Sequence, residues 1–352
     1  MKTIRIAIDS HAIDKARLAQ AAQILCDGGL VAMPTETVYG LAANALDERA
    51  VAAIFQAKGR PTSDPLIVHV ADMADLATIC ATPLPALFDV LAAHFWPGPL
   101  TLLLPKHPQL TNLITAGHAT VAVRMPAHPV AIALIRACGV PLVAPSANLF
   151  SRPSPTCADH VLHDLAGRID AVIDAGPCRV GVESTILDIT SPQPRILRQG
   201  GIPQSQIEAI IGTVTLHTQH AAHDTAVPAP GLLLKHYSPH TPLQLYRGDV
   251  SDVQRAIVDF CQSHPHMRIA WLGYDHDAAV ATAVGVRFVS LGAIADDDDV
   301  AHRLFEGLRT VDRLQADVIV TSEPFGHGLA AAVRDRLFRA AEGRVIMATP
   351  AN

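Results

Sequence analysis

Short apolar runs alternate with amphipathic stretches along most of this chain, the rhythm of an α/β protein. Residues 12–26 follow a helical period and close at Gly28-Gly29, before an apolar strand at Leu30–Met33. A second helix starts at Asp47, an N-cap residue, and sets Val51, Ile54 and Phe55 on one face. Gly59 and Pro61 stop it, because glycine frees the backbone and proline turns Arg60 away from helical geometry. Further strands are predicted at Leu66–Val70, Leu100–Leu104, Thr120–Met125, Pro141–Ala144, Ala171–Asp174, Val182–Ile189 and Arg195–Arg198. Helices are predicted near 84–95, 128–138, 158–166 and 203–211. The last three strands follow one another without a helix, so the sheet is expected to be mixed.

The rhythm lapses at residues 213–242, where His, Thr, Ala and Pro occur without a period, as in a linker. From 243 onward it returns more regularly. Strands at 243–246, 268–272, 287–291 and 317–321 alternate with helices near 251–263, 298–314 and 328–342. Acids at Asp296–Asp299 suit a helix N-terminus, and Val300, Leu304, Leu308, Val311 and Leu314 form one stripe. The expected organisation is a domain over 1–212, a linker over 213–242, and a smaller parallel α/β domain over 243–352.

Composition narrows the class. The 352 residues, 49% apolar and 17% charged, suit two globular cores at about 150 residues per domain. A net charge of -6 leaves no global basic footprint for tight, sequence-independent nucleic-acid binding. The six cysteines form no C-x-x-C pair, which fits reduced thiols better than a disulfide frame or a zinc site. The opening M-K-T-I-R-I-A-I-D-S carries charges too early for a signal segment, and no apolar run reaches about 18 residues. A soluble, cytoplasmic protein without membrane attachment is expected.

Against this background Lys58-Gly59-Arg60-Pro61 stands out, since the chain holds only five lysines against 22 arginines. Arg60 offers a forked contact and Lys58 a point charge, which together suit a phosphate chain. A solvated helix end, where cations match the dipole, is the plainer alternative. Pro34-Thr35-Glu36-Thr37-Val38-Tyr39-Gly40 follows a strand end, where open α/β sheets hold ligands; a capped strand-to-helix turn would look the same. His69 lies inside an apolar strand, where a core histidine is the ordinary finding. Strand alternation puts Thr120, Ala122 and Arg124 on one face, so Arg124 can hold a carboxylate bidentately or simply face solvent. Ala144-Pro145-Ser146-Ala147-Asn148, with Ser151 and Ser154, closes another strand, and Glu183-Ser184-Thr185 and Arg198-Gln199-Gly200-Gly201 flank two more.

Familiar signatures are missing: no P-loop, no G-x-S-x-G elbow and no H-E-x-x-H pair occurs. Gly326-His327-Gly328-Leu329-Ala330-Ala331 matches a dinucleotide fingerprint, but no further strand with its acidic residue is expected after it. A tight helix start is the better account.

Taken together, the segments resemble the YrdC-type L-threonylcarbamoyladenylate synthases, in the long form with an extra C-terminal domain. The resemblance is carried by P-T-E-T-V-Y-G-L at 34–41, K-G-R-P at 58–61, P-L-I-V-H-V at 65–70 and P-G-P-L-T-L-L-L at 97–104. It continues in V-A-V-R-M-P at 121–126, P-S-A-N at 145–148, G-V-E-S-T-I-L-D at 181–188 and I-L-R-Q-G-G at 196–201. K-H-Y-S-P at 235–239 and G-L-A-A-A-V-R-D-R-L at 328–337 resemble the long form's linker and terminal domain. Where relatives often carry Thr or Ser, this chain has Ala144.

The resemblance implies a YrdC-like mixed, twisted sheet followed by a Rossmann-like domain. It implies an enzyme that joins L-threonine, bicarbonate and ATP into threonylcarbamoyl-AMP with release of pyrophosphate. Mg2+ would accompany ATP. The product would pass to a threonylcarbamoyl-transferase complex acting on tRNA, next to the anticodon, with at most a weak tRNA contact by this chain. Implied nucleotide contacts fall on Lys58, Arg60, Asp64, Thr120, Ser146, Asn148, Ser154, Arg198 and Tyr237, with Lys58 and Arg60 at the chemistry. Implied threonine contacts fall on Thr37, His69, Arg124 and Ser184. Two other classes remain in view. An RNA-binding module without chemistry would need salt-steep RNA affinity, which the net acidity disfavours. A carbamoyl-transfer module of the hydrogenase-maturation kind would carry paired zinc cysteines, which are absent.

Overall fold

The computed structural model describes residues 2–217, 227–232, 234 and 236–350. It forms two compact units, Met1–Phe150 with Ser154–Leu233, and Ser151–Pro153 with Leu234–Asn352.

The first unit is built on eleven strands: β1 (Ile4–Ala7), β2 (Val31–Met33), β3 (Gly40–Asn44), β4 (Ile67–His69), β5 (Leu100–Pro105), β6 (Thr120–Arg124), β7 (Leu142–Val143), β8 (Ala171–Asp174), β9 (Thr185–Asp188), β10 (Arg195–Arg198) and β11 (Thr215–Leu216). Their order is β1-β8-β2-β3-β7-β4-β6-β5-β9-β10-β11. Parallel and antiparallel pairings are equally represented, so the sheet is mixed as expected.

β3 has no counterpart in the sequence pattern. Its G-L-A-A-N sequence has low strand propensity, and it forms because both edges are taken up, by β2 and by β7. The 34–39 segment therefore links two strands, not a strand and a helix. Gly40 suits this close approach: a Cβ would lie 3.0 Å from that of Ala144, so the neighbour would have to give. β11, at the start of the expected linker, adds a further edge strand beside β10.

Both faces of the central strands are covered. Val68, Val121, Val123, Leu100, Leu102 and Leu104 enter the large core on one side. Ile67, Leu103, Ala122, Ile186 and Leu197 face the other side, where Val227, Ala229 and Leu232 pack on them. The helix Glu48–Lys58 starts and stops as its sequence predicts. The Asp47 side chain accepts from the N–H groups of Arg49 and Ala50, and Gly59 caps the end at φ 63°.

The second unit holds a five-stranded sheet of β12 (Leu243–Arg247), β13 (Ile269–Gly273), β14 (Arg287–Ser290), β15 (Val318–Ser322) and β16 (Val345–Met347). The order is β14-β13-β15-β12-β16, and every pairing is parallel. Contrary to expectation, a strand does follow the glycine loop: β16 comes after the helix Leu329–Ala340. Ala348, Thr349 and Pro350 come next, and none of the three is an acid. Gly328, at φ 76°, makes the turn into the helix. All six cysteines are free. Among the described residues no helix is long and apolar enough to cross a membrane.

Candidate active site

One strand pair organises the site. β4 and β6 run parallel, with Ile67 opposite Ala122 and His69 opposite Arg124. Alternation sends all four to the same face, so two apolar residues are followed by a histidine and an arginine. Burial pushes His69 down to about 3, with the Arg124 charge as the lesser cause, so its imidazole is neutral at physiological pH. Its Nδ1 has no hydrogen-bond partner among the described residues.

Arg124 is almost entirely buried, and each of its three nitrogens lies beside one protein oxygen. Nε donates to Gly98 O at 3.1 Å and Nη1 to Thr37 Oγ1 at 2.9 Å. Nη2 lies 2.6 Å from Glu36 Oε1, a charge contact without hydrogen-bond alignment. The turn carrying Thr37 and Glu36 is tied down in two ways. Thr35 Oγ1 meets Thr37 Oγ1 at 2.8 Å and donates to Val38 O at 2.6 Å. Val180 N and Gly181 N donate to Glu36 O and Thr37 O.

A second group grows from the start of β9. Ser184 Oγ meets Thr101 Oγ1 at 2.8 Å, and Arg198 Nη2 donates to Ser184 O at 2.9 Å and Oγ at 3.1 Å. Gly200 lets these strands approach: a Cβ there would sit 2.3 Å from Glu183 O. The neighbouring Glu183 takes a short 2.5 Å hydrogen bond from Ser154 Oγ, which links Ser154 to the same turn.

The third group gathers at the helix end. Arg60 donates from Nε to Asp64 O and from Nη2 to Pro65 O, and pairs with the Asp64 carboxylate at 3.0 Å. Lys58 is buried as well. Its Nζ donates to Ser146 O at 2.5 Å and Asn148 O at 2.7 Å, which fixes the P-S-A-N loop. Burial first, and Arg60 second, hold this amine well below the usual lysine range. So Lys58 is not a solvated helix end. Asn148 is buried, with Nδ2 on Leu149 O, whereas Ser146 and Thr120 are partly open.

Tyr237 belongs to the second unit. It is buried there at φ 63°, with Phe305 beside its ring and the guanidinium carbons of Arg336 and Arg339 at 5.0 and 5.5 Å from the ring centre. Lys235, which precedes it in the expected linker, lies outside the described residues. Part of that linker is well packed: Val227 N donates to Ser63 O, and Pro230 O accepts from Arg198 Nη1 at 3.4 Å. Sequence reasoning gave no role to Glu36, Thr101 or Glu183. Each was visible as a polar residue inside a motif, but only the partner across the sheet gives it a task.

The arrangement is a mixed-sheet α/β scaffold carrying three groups of buried cations and their oxygen partners. Residues 23–200 match the Sua5/YciO/YrdC family model, described as telomere recombination. Residues 202–342 match the model for the threonylcarbamoyl-AMP synthase C-terminal domain. The threonylcarbamoyl-AMP synthase of Bacillus subtilis is 43% identical over 98% of this chain and 100% of its own length. That of Pyrococcus abyssi is 41% identical over 95% and 96%. The crystal structure of P. abyssi Sua5 complexed with L-threonine superposes with a TM-score of 0.90, at 40% identity, over 98% of this chain and 99% of the other.

The chain belongs to the Sua5/YciO/YrdC family. It is an enzyme of the threonylcarbamoyl-AMP synthase type, an ATP-using transferase.

Proposed function

We propose that this protein condenses L-threonine, bicarbonate and ATP into threonylcarbamoyl-AMP and pyrophosphate, on the buried polar groups just described. The observation that carries this reading is Arg124 bonded to Thr37 and set opposite His69 on β6 and β4, with the Arg198–Ser184 pair at β10 and the start of β9 in the same sheet. Arg124 binds the threonine carboxylate, Thr37 and Ser184 supply hydroxyls, and neutral His69 serves as a hydrogen-bonding wall. Arg60, Asp64, Thr120, Ser146, Asn148, Ser154 and Arg198 hold the nucleotide.

Nucleotidyl transfer of this kind asks mainly for positioning and charge neutralisation. Lys58 acts by holding the Ser146–Asn148 loop in place. Asp64 is already paired with Arg60, so Mg2+ would enter with ATP and neutralise charge on its phosphates. The adenylate goes to a threonylcarbamoyl-transferase complex acting on tRNA, and the six free thiols favour a cytoplasmic setting.

The test is incubation with L-threonine, bicarbonate and ATP labelled at the α-phosphate. Pyrophosphate and a threonine-dependent AMP adduct are expected. Pyrophosphate release that is indifferent to threonine would overturn the assignment.

A further inference from the structure

One buried acid in this pocket has no task in the reading above. Glu36 is 4% exposed, and its Oε1 lies 2.6 Å from Arg124 Nη2. Its Oε2 has no partner among the described residues. A buried carboxylate oxygen without a partner is costly, so a ligand that supplies a donor gains from meeting it. A fixed anion beside Arg124 also repels any substrate carboxylate that approaches alone. It suits a molecule that carries a cation next to its carboxylate, which is the form of an α-amino acid.

We propose that Glu36 receives the α-ammonium of the amino-acid substrate and accepts its proton, while Arg124 holds the carboxylate. The inference rests on the threonine reading of the same pocket.

Four charges then share a dry site: guanidinium, two carboxylates and ammonium. Passing one proton from nitrogen to Oε2 removes two of them, which burial favours. The neutral amine attacks the carbon of bicarbonate. The bond from that carbon to the hydroxyl oxygen breaks, and hydroxide leaves as water with a second proton from nitrogen. The carbamate anion results, and Glu36 returns the first proton to solvent when product leaves.

The groups facing Glu36 are Arg124, His128 and Cys178, and His69 lies opposite Arg124 on the neighbouring strand. Burial lowers both histidines and raises the thiol, which moves all three away from the range between about pH 7 and 9. That window isolates the amine. Pyrophosphate release by Glu36→Gln is therefore compared with wild type across it. The variant is expected to lose at least tenfold in kcat/KM for threonine at pH 7, with KM for ATP within about twofold. The deficit should shrink with rising pH as solvent supplies free amine. A deficit that stays constant with pH, or no deficit, overturns the proposal.

A measurement on wild type stands apart from the variant's folding. L-Threonine is expected to bind at least tenfold more tightly than (R)-3-hydroxybutanoate, which lacks only the amino group. Equal affinities overturn the proposal. If wild type releases no pyrophosphate in response to threonine, the functional reading fails first.

Discussion

Arg198 holds the turn at Ser184 twice over, donating from one nitrogen to the carbonyl at 2.9 Å and to the hydroxyl at 3.1 Å. A third donor, Nε, reaches the same carbonyl at 3.2 Å. This forked grip sits where β9 begins, so one arginine fixes the Ser184 backbone and aims its hydroxyl. Lysine cannot reproduce a planar fork. Arg198→Lys is expected to lower kcat/KM at least tenfold and to cost about 1–3 kcal/mol in unfolding free energy. Pyrophosphate release and denaturant melts measure the two; unchanged values for both would remove the role.

Lys58 offers a different test, because its contacts are to backbone. Lys58→Met fills similar space but leaves Ser146 O and Asn148 O without their donor. Each buried carbonyl left unmatched costs about 1–3 kcal/mol. A folded protein with a lower Tm and at least a hundredfold loss of pyrophosphate release is the expected outcome. Near wild-type turnover would show that the loop holds its shape without the amine.

His69 predicts a pH dependence of stability. Its value near 3 in the folded protein lies below the ordinary 6.5, so the unfolded chain binds more protons in between. Stability is therefore complete above about pH 6.5 and falls as pH drops toward 3, by roughly 2 kcal/mol at pH 5. His69→Gln should flatten that part of the profile in urea melts between pH 7 and 5. An equal slope in wild type and variant would rule His69 out as its source.

Two glycines separate crowding from backbone strain. Gly200→Ala would drive a methyl to 2.3 Å from Glu183 O and 2.4 Å from the Ser184 carbonyl carbon, while Gly201 N stays bonded to Glu183 O. Gly59→Ala meets nothing within 4 Å and pays only for its left-handed φ of 63°, about 1–2 kcal/mol. Gly200→Ala is expected to lose more stability than Gly59→Ala and to lose activity with it. The reverse order in thermal melts would contradict this account.

What the chain settles by itself is mostly local. The helix at 48–58 follows from the Asp47 cap, its apolar face and Gly59, all of which act within a few residues. β4, β5, β6, β8 and β10 follow from short apolar runs, and the second unit from a regular alternation. The site motifs were equally legible, because each is a cluster of unusual polar residues at a strand or helix end. The resemblance of Thr37, His69, Arg124 and Ser184 to a known family likewise needed no coordinates.

Only the tertiary structure decided the rest. β3 exists because β2 and β7 complete its hydrogen bonds, a partnership that its Gly and Ala residues do not announce. Lys58 turns inward because the Ser146–Asn148 loop, far along the chain, presents two carbonyls to it. Glu36 becomes a buried counter-charge because β6 brings Arg124 alongside. In each case the partner is distant in sequence, and burial strengthens a charge or hydrogen bond that water would have weakened.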